Sequence, residues 1–277
     1  MEDLVTFTNA GSKLFGILHR PNGAAPKRGA ILLHGWSSCR MGPHRILVET
    51  ARHLAEQGAA ALRFDHRGRG DSEGADEEAD LDGMISDALA AADLLRERAG
   101  VKELAMIGIC SGGNVAIGAA TLRPDVSRVV AWSTLPFQPH RARSLDVKRT
   151  GHYALEYVKK VLRPETWRKI FTGTVNYRMI RRALFGHYVR TDPEGRNPKD
   201  SSRDIMAEFA RYRGRVRFIY GGADPEASSA KEHYESFCRE HGIAADYVFI
   251  EGANHNYYSL DWKRQVIERT TEWVMGA

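Results

Sequence analysis

From residue 29 onward the chain alternates short apolar runs with longer amphipathic ones, and that alternation leaves few folds open to it. "GAILLHG" (29–35), "AAALRFD" (59–65), "KELAMIGI" (102–109) and "SRVVAWS" (127–133) are nearly continuous in apolar residues. Strands read this way when both faces of their sheet are covered. Between them, residues 45–57, 81–99 and 111–122 place apolar side chains at helical spacing. The pattern resumes with a strand at 215–222, a helix at 228–241, a strand at 245–252 and a helix at 260–275. Such alternation predicts an α/β fold: a mostly parallel central sheet with helices on both faces. "LVTFT" (4–8) and "KLFGILHR" (13–20), joined by "NAGS", predict a hairpin ahead of it.

The pattern breaks at residues 135–214, which contain helical segments but no buried-strand run. The expected organisation is a core of residues 1–134 and 215–277 carrying a helical insertion, 135–214. At 277 residues and 43% hydrophobic content, one large core is affordable and a second is not required. Charge divides unevenly. Residues 135–215 carry 19 Lys and Arg against 8 Asp and Glu, so a chain of net charge +5 is acidic outside that segment.

Three cysteines, Cys39, Cys110 and Cys238, make neither a disulfide framework nor a metal-ligand spacing. Sparse, odd cysteine usage points to a reducing compartment. "MEDLVTFTNA" lacks the apolar stretch of a signal peptide, and no run reaches the ~18 apolar residues of a membrane span. A cytoplasmic protein needing no cofactor or metal is expected.

The chemistry-bearing segment is "LAMIGICSGGNVAIGAA" (104–120), a strand, a sharp turn and a helix of small residues. Small residues at 108, 112 and 113 let strand and helix approach closely, which lifts the side chain of the middle residue, Cys110, off the sheet's C-terminal edge. Ser111 follows as the first helical residue, its backbone N–H turned back toward the lifted side chain. Cys110 is therefore the candidate nucleophile, and Ser111 offers an amide. The positive end of the helix also favours the thiolate, the reactive form.

The chain resembles the α/β-hydrolase superfamily, and within it the branch of serine-aminopeptidase-like and cinnamoyl or feruloyl esterases. "LLHGW" (32–36), "LRFDHRGRGDSEG" (62–74), "GICSGG" (108–113), "IYGGADP" (219–225) and "EGANHNYYS" (251–259) carry the resemblance, in the family's order. Residues 135–214 stand where relatives carry a lid. The chain departs from the pattern at Cys110, where most members have serine; dienelactone hydrolases and some thioesterase-like members share the replacement.

A nucleophile of this kind needs a base within hydrogen-bond reach and a third group to orient it. In the superfamily the chain order is nucleophile, acid, histidine. Asp224 follows the strand "RFIYGG" and His255 follows "DYVFIEG", so both are placed at the edge where Cys110 stands. The order Cys110, Asp224, His255 agrees, with Glu251 as the fallback acid. The resemblance implies an oxyanion hole from the backbone N–H groups of Trp36 and Ser111. It implies a structural role for "DHRGRGDSEG" (65–74), with Asp65 and Arg67 pinning the backbone. No residue is singled out for substrate binding.

Three functions fit these residues. One is hydrolysis of an ester or thioester through an acyl-cysteine. The second is acyl transfer with the same triad. The third is a hydrolase-like protein that binds a ligand without turnover. The basic segment would draw anions toward the entrance: the phosphates of a coenzyme A thioester, an acidic carrier protein with a phosphopantetheine arm, or an anionic lipid surface. No helix-turn-helix or zinc spacing accompanies the charge, so nucleic acid is not an expected partner.

Overall fold

The apolar runs form strands whose successive side chains enter two separate cores. In Arg28–Leu33, Ile31 and Leu33 face one side, while Ala30 and Leu32 face the other. The computed structural model describes residues 1–23, 25–75, 79–137 and 201–276. Most of the expected insertion, 138–200, therefore lies outside the described residues.

The strands are β1 (Glu2–Asn9), β2 (Ser12–His19), β3 (Arg28–Leu33), β4 (Ala60–Phe64), β5 (Glu103–Ile109), β6 (Val126–Trp132), β7 (Arg215–Gly221) and β8 (Ala244–Ile250). They form one sheet in the order β1-β2-β4-β3-β5-β6-β7-β8. β1 and β2 pair antiparallel, as do β2 and β4, and every later pairing is parallel. The hairpin turns at Ala10 and Gly11, both with positive φ (47° and 84°). That is the backbone a two-residue turn between twisted strands requires.

The helices are α1 (Ile46–Glu56), α2 (Leu81–Ala99), α3 (Ser111–Ala120), α4 (Ile205–Phe209), α5 (Ala227–Glu240) and α6 (Leu260–Met275). α1 and α6 cover one face, burying Leu47, Leu54, Val266 and Val274. α2, α3, α4 and α5 cover the other, burying Met84, Val115, Phe209 and Tyr234. α2 is bounded as its sequence dictates: the Asp80 side chain accepts from Gly83 N–H at 2.7 Å, and Gly100 ends the helix at φ 66°. Residues 201–214 pack with the core, where Ile205 and Phe209 are buried and the Tyr212 hydroxyl donates to the carbonyl of Val126 at 2.9 Å. None of the described helices is long and apolar enough to cross a membrane.

Strand order reverses at β3. The chain leaves it first toward β4 and then, after α2, returns to β5 on its other side. Crevices at the carboxyl ends of parallel strands open at such a switch point. Here β3 runs out into His34, Gly35 and Trp36, and β5 into Cys110.

Candidate active site

Cys110 sits between β5 and α3 with φ 56° and ψ −124°, a conformation that costs a non-glycine residue energy. The turn is held from both sides. Cys110 N–H donates to the Trp132 carbonyl of the neighbouring strand at 2.8 Å, and Gly113 N–H donates to the Cys110 carbonyl at 3.0 Å. Gly112 makes the turn sterically possible, since a Cβ there would collide with the carbonyls of Leu33 and His34. The start of α3 is thereby pressed against the end of β3, and the Cys110 side chain is left partly exposed.

Asp224 and His255 arrive on the loops after β7 and β8. Those loops are zipped together by the backbone: Gly222 N–H donates to the Ile250 carbonyl at 2.8 Å, and Ala223 N–H to the Ala253 carbonyl at 2.9 Å. The Asp224 carboxylate is almost fully buried, with Oδ2 2.7 Å from His255 Nδ1. Its second oxygen, Oδ1, accepts from Glu226 N–H at 3.2 Å. His255 is hydrogen-bonded to the Cys110 side chain as well. Burial alone would lower the imidazole pKa. The bonds to Asp224 and Cys110, and the charge on both partners, outweigh it and raise the value to about 10. The imidazole thus bridges a carboxylate and a sulfur and is held in its protonated form near neutral pH.

Cys110, Asp224 and His255, separated by up to 145 positions in the sequence, are brought to one place. The fallback acid is not among them: Glu251 is exposed on the loop after β8. Trp36 and Ser111 also meet, and do so directly. Trp36 N–H donates to the Ser111 hydroxyl oxygen at 2.7 Å. His34, fully buried below, fixes that loop. Its Nε2 accepts from His66 N–H at 3.2 Å, and its Nδ1 lies 2.8 Å from the Gly35 carbonyl. Burial, with the neighbouring His66 adding to it, pushes the His34 pKa down to about 3, so the ring is neutral.

The "DHRGRGDSEG" loop makes structural contacts. Asp65, with no exposed surface, accepts from Arg40 N–H at 2.6 Å and Asp71 N–H at 3.1 Å and pairs with the Arg40 guanidinium. Arg67 pairs with buried Asp87 at 2.6 Å. Two further residues at the site are not singled out in the sequence: Ser133 and Tyr257, both buried and both with positive φ (45° and 51°). The Ser133 hydroxyl lies 2.8 Å from the Tyr257 hydroxyl, which lies 2.8 Å from the Ile219 carbonyl oxygen. Tyr257 falls within the "EGANHNYYS" segment, but nothing in it points to Ser133, because their meeting depends on the ends of β6, β7 and β8 coming together.

Residues 26–187 match the family described as serine aminopeptidase, S33. Among curated proteins, the lysophosphatidylserine lipase ABHD12 of Danio rerio is 40% identical over 86 residues. That match takes in 31% of this chain and 21% of the zebrafish protein. Among solved structures, Est1E from Butyrivibrio proteoclasticus, with ferulic acid bound, superposes with a TM-score of 0.66 at 21% identity over 98% of both chains. The dienelactone hydrolase of Anabaena variabilis superposes with a TM-score of 0.63 at 19% identity, covering 99% of this chain and 97% of its own. At such identities the superpositions speak for the fold, and the matched segment, more than half of the sequence, speaks for the family. The protein is a hydrolase of the α/β-hydrolase type and belongs to the serine aminopeptidase S33 family.

Proposed function

We propose that the protein hydrolyses ester or thioester bonds through an acyl-cysteine intermediate, with Cys110 as nucleophile, His255 as its acid–base partner and Asp224 as the group that orients His255. The observation that carries this reading is the unbroken line Asp224–His255–Cys110, ending on a residue whose strained backbone lifts it off the sheet edge. A raised imidazole pKa beside a thiol supports a thiolate–imidazolium pair at rest.

In the first step the sulfur attacks the carbonyl carbon and the carbonyl electron pair moves onto oxygen. The backbone N–H of Ser111 receives that charge; the Trp36 N–H, the other expected donor, is engaged by the Ser111 hydroxyl. The C–O or C–S bond to the leaving group then breaks as His255 gives it a proton. In the second step His255 takes a proton from water, hydroxide adds to the thioester of Cys110, and the acid departs with the sulfur regenerated. Asp224 keeps Nδ1–H engaged, so the other ring nitrogen faces the sulfur.

The insertion supplies the case for a thioester. Residues 135–214 are strongly basic in an otherwise acidic chain, which favours substrates with an anionic leaving group such as coenzyme A. Exchange of one thiolate for another at the acyl carbon is also chemically undemanding.

The test has two arms. Intact mass spectrometry of protein mixed with a panel of p-nitrophenyl esters and acyl-CoA thioesters should show an acyl adduct that Cys110→Ala abolishes together with turnover. Turnover surviving in Cys110→Ala overturns the mechanism. Preference for CoA thioesters should weaken as ionic strength rises; equal turnover of both classes at every salt concentration rejects the thioester assignment. Products formed with added alcohols or amines distinguish acyl transfer from hydrolysis.

A further inference from the structure

The contact between Trp36 and Ser111 has a chemical consequence. The Trp36 N–H does not point into open space; it is taken up at 2.7 Å by the hydroxyl oxygen of the residue next to Cys110. A serine hydroxyl can accept two hydrogen bonds and donate one. Here it accepts from Trp36, and its own proton has no acceptor among the described residues. Gly35 lies close to both residues: a Cβ built on it would lie 3.5 Å from the Cys110 Cβ and 3.6 Å from the Ser111 Oγ. Gly35, Cys110 and the Ser111 hydroxyl thus come near one another at the carboxyl ends of β3 and β5.

We propose that the Ser111 side chain is itself an oxyanion donor, with Trp36 N–H fixing its oxygen so that the free O–H points at the acyl oxygen. This rests on the acyl-cysteine reading above and deepens it. As the Cys110 sulfur bonds to the carbonyl carbon, the π electron pair moves to oxygen and the Ser111 O–H donates a hydrogen bond to it. No proton is transferred, and the bond relaxes when the carbonyl re-forms. The donated bond strengthens only as charge appears on that oxygen, so its contribution falls on kcat rather than on substrate binding. The Trp36 N–H polarises the hydroxyl and makes it a better donor than an isolated serine.

Ser111→Ala and Ser111→Thr decide the matter, assayed on whichever p-nitrophenyl ester the wild type turns over. Loss of an oxyanion donor typically costs ~10²–10³ in rate. In Ser111→Ala the released Trp36 N–H can turn to the acyl oxygen itself, so a smaller loss is expected: kcat down about tenfold with KM within about twofold. Inhibition by an alkyl trifluoromethyl ketone, whose thiol adduct carries the same oxyanion, should weaken in parallel. Ser111→Thr, which keeps the hydroxyl, should stay within about threefold of wild type in both measurements. Ser111→Gly repeats the test should the alanine variant not fold. A Ser111→Ala enzyme as fast as wild type or faster overturns the inference, because the hydroxyl would then only occupy the hole. A loss confined to KM overturns it too. Iodoacetamide labelling of Cys110 should proceed at the wild-type rate in every Ser111 variant. If Cys110→Ala keeps its turnover, the underlying mechanism fails instead, and that outcome is separate from anything Ser111 does.

Discussion

Ser133 Oγ lies 3.0 Å from the backbone carbonyl oxygen of His255, across 122 residues of sequence. The Ser133 and Tyr257 hydroxyls supply two protons to three contacts: to the His255 carbonyl, to one another and to the Ile219 carbonyl. The end of β6 thereby holds the backbone that carries the imidazole. Ser133→Ala should lower kcat about tenfold and destabilise the fold by about 1–2 kcal/mol through the lost buried bonds. Ser133→Gly separates the two effects, because glycine accepts the φ of 45° without strain. Its stability should recover part of the loss while kcat stays low. Circular-dichroism melts beside steady-state kinetics make the comparison; activity that recovers along with stability would mean that Ser133 only supports the fold.

The imidazole pKa of about 10 has a definite consequence at alkaline pH. In the proposed mechanism the imidazolium that gives its proton to the leaving group loses it as pH climbs through that value, so kcat/KM should fall above about pH 9–10. In Asp224→Asn the supporting carboxylate is gone, and the alkaline limb should move toward the ordinary histidine value of ~6.5, with kcat down by roughly 10³–10⁴. Stability follows the same group. Its folded pKa is raised, so its stabilisation is complete below ~6.5 and disappears as pH rises toward about 10. Activity that rises through pH 7 and stays level to pH 10.5 would instead mean a neutral imidazole acting as the base.

The close approach at the start of α3 has no room for one more carbon. A Cβ at Gly112 meets the carbonyls of Leu33 and His34, which are backbone and cannot swing aside. Gly112→Ala must push α3 away from β3, shifting Cys110 relative to His255 and pulling Ser111 from Trp36. Activity should drop at least 100-fold, since reacting groups tolerate displacements well under 1 Å. Stability should fall by about 1–3 kcal/mol, the usual cost of overpacking. Gly58→Ala is the control: nothing lies within 4 Å of a Cβ there, yet its φ of 94° strains any side chain. It should cost stability and leave kcat unchanged.

What could be read from the sequence follows from what physics writes into it locally. Strands β3, β5 and β6 are buried on both faces, so their apolar runs are continuous and their limits agree with the structure to within one or two residues. The positions of Cys110, Asp224 and His255 after β5, β7 and β8 follow from those limits. The start of α1 is less legible. The helical spacing suggests residue 45, but His44 and Arg45 adopt positive φ (50° and 63°), and neither residue type advertises that backbone. The Ser133–Tyr257–His255 contacts and the Trp36–Ser111 bond are equally silent, because each joins segments that only the finished sheet brings together. Arg67 and Asp65 in the loop after β4 announce charge but not their partners: Asp87 on α2 and Arg40 on the loop after β3 are set by packing.

Acid should unfold the protein through buried histidines away from the proposed nucleophile, Cys110. Burial, aided by the positive Arg63, lowers the His19 pKa to about 4, and burial beside His66 lowers that of His34 to about 3. Both rings accept hydrogen bonds as neutral groups: His19 Nε2 from Arg63 Nε at 2.9 Å, and His34 Nε2 from His66 N–H at 3.2 Å. In the unfolded chain each takes up a proton near pH 6.5. A depressed folded pKa gives stability that is fully present above ~6.5 and is lost as pH falls toward about 4 and then about 3. Urea midpoints measured from pH 7.5 down to 4 should therefore decline steadily below 6.5. His19→Gln keeps an acceptor for Arg63 but cannot titrate, so it should flatten part of that decline. An equally steep decline in His19→Gln would move the acid sensitivity to other groups, and a level midpoint between pH 7 and 4.5 would mean that neither ring is held neutral by its surroundings.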